Sequence, residues 1–287
     1  MTATASAVTT MRAATLAAPR RFEVAVPRRP EPGDGEVLVR VDGCGVCASS
    51  LSVWEGRPWF GYPLPPGAPG HEAWGRLPDG QRVAVLNERG FAEWAVARAD
   101  HVVPLPPELD GLPFPGEAFA CAVNVVRRSR AERGMAVAVV GMGFLGSTVA
   151  QILRAEGADV VELRRGDTAH AEFPCVVECA GTQDALDTAS ALVAAGGRLV
   201  LAGFHQDGLR HVDVQSWNWR GIDVVNAHER DSLRVVDALR EAVRRAVAGK
   251  LDVERLVTHR FALDELDAAF TAARERPPGF VKAWVEA

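Results

Sequence analysis

Among the side chains of the first 120 residues that are of metal-holding types, four stand in or beside glycine-containing motifs. Cys47 follows Gly45-Val46, His71 and Glu72 follow Pro69-Gly70, and Glu117 follows Gly116. A catalytic zinc site takes about three ligands of thiolate, imidazole or carboxylate type and leaves a fourth position open. The spacing alone also fits a buried thiol, a loop histidine and a helix-start carboxylate with no metal. Ser49 lies two residues past Cys47; it is a hydroxyl placed either to move a proton or to cap a helix.

A second stretch with its own chemistry is Val137-Ala138-Val139-Val140-Gly141-Met142-Gly143-Phe144-Leu145-Gly146. A short apolar run leads into G-x-G-x-x-G, and an apolar-periodic helix candidate follows. That is the setting in which the glycine run binds a dinucleotide. Gly141 permits the tight turn, Gly143 lets the backbone approach a pyrophosphate, and Gly146 lets the helix pack close to the strand. The helix start, with Phe144 and Leu145, offers N–H groups to the phosphates. About twenty residues on, where an acidic side chain would take the ribose of NAD, stand Arg164 and Arg165. Arginine there can pair with the 2′-phosphate of NADP. Two solvated loop arginines, with Glu162 in the acidic role, are the alternative.

The elements that must position these groups change character along the chain. Residues 1–10 read as a disordered leader. From residue 11 to about 110, short strands (12–16, 22–26, 37–42, 82–86, 91–96 and 101–105) alternate with Gly- and Pro-rich turns, and a short helix is expected near 48–54. After Phe114 a helix is expected over 117–130. Strand, glycine turn and helix then alternate, with parallel strands at 135–140, 159–163, 174–179, 198–202 and 222–226. This predicts a doubly wound α/β domain. Only Gly166 to Phe173 separate Arg165 from the strand at 174, too few for a full helix and strand. The sheet is therefore expected to lack about one βα unit. The tail carries a helix over 265–274 and a last strand over 280–285, which most simply rejoins the first domain.

The chain has 287 residues, 48% of them hydrophobic and 24% charged, and a net charge of −5. Mild acidity argues against a nucleic-acid partner. No apolar run reaches the ~18–20 residues of a membrane span. The five cysteines are expected as free thiols or metal ligands, and the protein as cytoplasmic. Lysine occurs only at Lys250 and Lys282.

Taken together, Gly45-Val46-Cys47-Ala48-Ser49-Ser50, Pro69-Gly70-His71-Glu72, Gly116-Glu117-Ala118-Phe119-Ala120-Cys121 and the glycine run resemble the zinc-dependent medium-chain dehydrogenase/reductase family. The sorbitol and threonine dehydrogenase branch is the nearest in flavour. The resemblance runs in order from about Met11 to the C-terminus. It implies a GroES-like β catalytic domain (11–122 and 256–287) and a Rossmann domain (123–255). It also implies one catalytic zinc on Cys47, His71 and Glu117, with Glu72 as an alternate ligand and Ser49 as proton relay. The four-cysteine cluster of a second, structural zinc is missing. NADP or NAD is the implied hydride carrier, a small-molecule alcohol or ketone the substrate, and a homodimer or homotetramer the assembly.

Two departures bear on the relay. The family usually has Asp where this chain has Ser50, and often His where it has Ser52. His205 and Gln206, after the fifth strand, could hydrogen-bond a polyol or amino-polyol, which would add His205 to Ser49 and Glu72 as catalytic candidates. A plain polar loop is the alternative. Trp54, Trp59 and Phe60 are expected near an outer pocket. The expected activity is interconversion of a secondary alcohol and a ketone on a polar small molecule. A zinc-free double-bond reductase and a decayed homologue acting as a binding module are the rivals.

Overall fold

Apolar runs broken by Gly and Pro give the first part of the chain its short strands. The computed structural model describes residues 9–169 and 171–287; the expected leader lies mostly outside these. Thr9 and Thr10 belong to the folded part, since Thr9 accepts from Arg29 and Thr10 bridges to Arg28. The strands are β1 (Ala13–Ala18), β2 (Arg21–Ala25), β3 (Glu36–Gly45), β4 (Ala73–Arg76), β5 (Arg82–Val85), β6 (Trp94–Arg98) and β7 (Val102–Pro104), with helix α1 (Leu51–Glu55) after β3. β4 was not expected, because Gly75 and Pro78-Asp79-Gly80 read as a turn.

The next segment alternates as its pattern predicts: α2 (Gly116–Ser129), β8 (Ala136–Val140), α3 (Phe144–Glu156), β9 (Asp159–Leu163), β10 (Phe173–Glu178), α4 (Gln183–Leu192), β11 (Val193–Leu201), α5 (Val214–Arg220), β12 (Asp223–Asn226), α6 (Ser232–Val247) and α7 (Val253–Leu256). The tail adds β13 (His259–Ala262), α8 (Leu266–Glu275) and β14 (Ala283–Glu286). No helix among the described residues is long and apolar enough to cross a membrane.

Two compact units result. One holds the residues up to Pro106, Pro113–Pro115 and His259–Ala287; the other holds Pro107–Leu112 and Gly116–Thr258. A boundary at 122/123 would cut α2, which is one continuous helix packed on α6 and α3. The division therefore falls at the start of that helix.

In the first unit a seven-stranded sheet runs β13-β14-β3-β4-β5-β7, with β6 also on β3, and β1 and β2 form a separate hairpin. The tail enters this sheet because β14 pairs antiparallel with β3, Val285 opposite Cys44. Its helix α8 places Phe270 in contact with Phe22, Trp54 and Phe91. Asp267 fixes the same helix by accepting from Trp54 Nε1 at 2.8 Å and from the Phe22 amide at 2.9 Å. Trp54 is thus a core residue with a satisfied indole, not a pocket wall; Trp59 is exposed and packs on Phe60.

The second unit is a five-stranded parallel sheet in the order β12-β11-β10-β8-β9. Its strands are nearly continuous apolar runs, as a sheet covered on both faces requires. Ala138, Val140, Val176 and Leu199 pack with Ala185, Leu186 and Ala189 of α4. Residues of the opposite parity, Val137, Val139, Val177 and Val200, are equally buried. The expected shortening is present: no helix or strand occurs among the described residues between β9 and β10. This leaves β9 as an edge strand. Arg154 of α3 covers it, bonding the Val160 carbonyl at 3.2 Å and ion-pairing Glu162. Such cover blunts an edge that would otherwise pair with another chain.

Candidate active site

In the first unit β3 ends at Gly45, and Cys47 precedes a single 3-10 turn, Ala48–Ser50. The Pro69-Gly70 turn sets His71 and Glu72 just before β4. One ligand atom from each of Cys47, His71 and Glu72 lies within 4.8 Å of the others. His71 Nδ1 is 3.0 Å from the Pro69 carbonyl. A carbonyl only accepts, so Nδ1 carries the proton and Nε2 is the lone-pair nitrogen, the arrangement that prepares a histidine ligand. The Ser49 hydroxyl donates to Cys47 Sγ at 3.1 Å. It sits inside the 3-10 turn and caps nothing. Ser50 and Ser52 are buried, and Ser52 donates to the Ser49 carbonyl at 3.3 Å.

Glu72 is fully buried and meets Lys282 at the start of the last strand segment. Lys282 Nζ donates to Oε1 at 2.9 Å and to the Val46 carbonyl at 3.3 Å. It also lies 2.7 Å from Oε2, but without the alignment of a hydrogen bond. One buried carboxylate oxygen thus keeps a lone pair beside a thiol and an imidazole. Sulfur, nitrogen and oxygen donors in this combination suit zinc. Lys282 is the residue the sequence reading passed over. Its one signal was rarity, a lone lysine in an arginine-rich tail.

Glu117, expected as third ligand, opens α2 in the second unit, where Cys121, one turn on, donates its thiol to Oε1 at 3.2 Å. All five cysteines are free thiols. Burial pushes the thiols of Cys44 and Cys179 well above the ordinary range and that of Cys175 up to about 12. Cys44 and Cys175 are inert core groups, while Cys179 is half-buried.

In the second unit the glycine turn closes β8 onto α3. Gly141 has φ +98°, and a Cβ on Gly146 would lie 2.1 Å from the Gly141 carbonyl oxygen. Only glycine fits the second position. The α3 N-cap is Gly143, which makes no side-chain capping bond. Phe144 packs on Phe119 at 5.3 Å between ring centroids, and Leu145 is half-buried. A glycine turn leading into a helix start is the kind of place where an anion can be held. Arg164 and Arg165 follow β9 and are exposed, and the Arg164 amide donates to Asp167 at 2.8 Å. Glu162 is committed to Arg154. His205 has both ring nitrogens engaged, Nε2 with Glu178 at 3.1 Å and Nδ1 with Arg210 at 2.9 Å.

A thiol–imidazole–carboxylate trio on a β unit, joined in one chain to a doubly wound unit with a dinucleotide turn, defines a two-unit oxidoreductase architecture. Comparison with known proteins agrees. No family model matches the chain. L-galactonate-5-dehydrogenase of Escherichia coli K12 is 24% identical, over 81% of this chain and 86% of its own length. A zinc-binding dehydrogenase from Sinorhizobium meliloti, solved bound to NADP, superposes with a TM-score of 0.81 at 22% identity, covering 97% of this chain and 100% of that one. A thermostable alcohol dehydrogenase from Pyrobaculum aerophilum, solved with cobalt and zinc bound, gives 0.83 at 22% identity with the same coverage. The chain is thus similar in sequence to alcohol, polyol and threonine dehydrogenases and has the fold of zinc-type alcohol dehydrogenases, which makes it an alcohol dehydrogenase-like oxidoreductase.

Proposed function

We propose that this protein is a zinc-dependent, NAD(P)-linked dehydrogenase that interconverts a secondary alcohol and a ketone on a polar small molecule such as a polyol, sugar or aminocyclitol. The observation that carries the reading is the convergence of Cys47, His71 and Glu72 within 4.8 Å. Two carboxylates compete to complete the set: Glu72, adjacent here but shared with Lys282, and Glu117, which the resemblance assigns. Bound to these residues, zinc would supply Lewis acidity toward the substrate oxygen, and the nicotinamide would carry the hydride. The Pro69 carbonyl holds the His71 ring in its ligating orientation. Ser49, bonded to the Cys47 sulfur, is the hydroxyl placed to take the proton that the alcohol loses. Gly141, Gly143 and Gly146 with the first turn of α3 hold the pyrophosphate. Arg164 and Arg165 favour NADP over NAD, since among the described residues at the end of β9 Glu162 is taken by Arg154 and Asp167 by the Arg164 amide.

A panel of secondary alcohols with NADP or NAD, followed by absorbance of the reduced nicotinamide, tests the reading. Turnover of at least one polyol-type alcohol is expected, lost on chelation and restored by zinc. The preference for NADP should fall in Arg164→Ala/Arg165→Ala by about tenfold, the size of one lost charged pair. No turnover with any member, or turnover untouched by chelation, would reject the reading.

We further propose that a second copy of this chain is the macromolecular partner, joined through β12. That strand is an open edge of the parallel sheet, and Leu209, Val214 and Trp219, in the segment that leads from β11 to it, are exposed, Trp219 by 91%. An edge pairing with its own two-fold mate satisfies the strand and covers this apolar surface at once. Trp219→Glu should convert a dimer to a monomer in light scattering. A wild type that is already monomeric at micromolar concentration would refute the pairing.

A further inference from the structure

Three segments at the carboxyl end of the parallel sheet are built on one buried carboxylate. Glu178, the last residue of β10, is fully buried. Its Oε1 accepts the amides of Ala180 and Gly181, each at 2.7 Å, and its Oε2 faces His205 Nε2 at 3.1 Å. The direction of the chain of donors is fixed. Arginine can only donate, so the 2.9 Å contact from Arg210 Nε makes His205 Nδ1 the acceptor. The imidazole proton is therefore on Nε2, aimed at Glu178. Arg210 also donates to the Gly181 carbonyl at 2.8 Å and ion-pairs Asp207. The backbones meet closely: a Cβ on Gly203 would lie 2.2 Å from the Gly181 amide nitrogen. Ala180 in turn abuts the dinucleotide turn, since a Cβ on Gly141 would lie 2.8 Å from the Ala180 Cβ.

His205 has no ring nitrogen left for a substrate. We infer that Arg210, His205 and Glu178 form a clamp that holds residues 203–210 as a fixed wall of the nucleotide crevice, and that His205 is a positioning residue for the nicotinamide cofactor. The inference rests on the NAD(P) reading above. Residues 203–210 form neither helix nor strand, and they follow β11 at the carboxyl ends of the strands, where a doubly wound sheet binds its ligand. A loop that must be ordered when the nucleotide arrives weakens binding by the cost of ordering it. The clamp removes that cost in advance. It acts on nucleotide affinity and leaves the hydride step alone.

The test is a fluorescence titration of wild type, His205→Ala and His205→Gln with NADPH and NADH, paired with kcat at saturating nucleotide and a thermal melt. His205→Ala should raise the Kd of the preferred nucleotide about tenfold or more, with kcat changed less than about threefold. Glutamine carries both a donor for Glu178 and an acceptor for Arg210, so His205→Gln should recover most of the affinity. Wild-type affinity in His205→Ala would overturn the clamp. Equal losses in both variants would also overturn it, because they would place the imidazole itself on the cofactor. Should His205→Ala fail to fold, Arg210→Gln carries the same expectations. A wild type that binds neither nucleotide removes the NAD(P) reading first, and the clamp with it.

Discussion

Cys47→Ala is expected to lower kcat/KM by about a thousandfold or more while the fold survives. Zinc bound at the proposed site would contribute several kcal/mol of charge stabilisation at the reacting oxygen, and each ~1.4 kcal/mol is tenfold in rate. Cys47 is the thiol of the trio, and it is only half-buried at the edge of a 3-10 turn. Its removal leaves no large cavity, so the loss should fall on zinc content and turnover, with little change in the melting temperature once zinc is removed from both proteins. His71 and one carboxylate, Glu72 or Glu117, would remain, which is too few protein ligands for a tight site. Circular dichroism and metal analysis of the same sample separate loss of site from loss of fold. A variant that keeps its zinc and more than a tenth of its activity would show that the metal is held elsewhere.

Lys282→Met should cost about 3–5 kcal/mol of stability in metal-free protein, the usual penalty for removing one partner of a buried ion pair. Lys282 and Glu72 are both essentially inaccessible to water, and their contact distances are 2.7 and 2.9 Å. Without the ammonium, Glu72 is left as an uncompensated buried charge. Adding Glu72→Gln to Lys282→Met should restore much of the loss, because the pair as a whole is worth far less than either half of it. Zinc supplies a second rescue: freed of Lys282, Glu72 should join the metal, so the single variant should gain more stability from added zinc than wild type does. Urea denaturation with and without chelator reads both effects. A loss below about 1 kcal/mol in the single variant would mean that water reaches the pair.

These two residues also show what was legible beforehand. Cys47 stands in a short motif with a family pattern, so its type and neighbours announced it. Lys282 is 210 positions from Glu72, and only the pairing of β14 with β3 brings them together. No local pattern encodes such a contact. The same contrast holds elsewhere. The β8 run and its glycine turn were readable because strand period, turn and helix are all local. β4 was missed because Ala73-Trp74-Gly75-Arg76 shows little alternation and its place is set by β3 and β5 on either side. β11 begins five residues before the expected start: Val193 already pairs with Phe173 of β10, and Ala194-Ala195-Gly196-Gly197 bulge out before the ladder resumes at Arg198. His205 was readable as a polar group in the right loop. Its partners were not, because Glu178 looks like an ordinary strand end and Arg210 like a loop cation. The trimmed sheet was readable from length alone, for the stretch after Arg165 has no room for another helix and strand.

Metal content tests the proposed zinc site most directly. Protein purified without chelator should hold about one zinc per chain, as one catalytic site of this ligand type requires, and Cys47→Ala should hold almost none. Less than about half an equivalent in wild type, with no activity gained when zinc is added back, would contradict it.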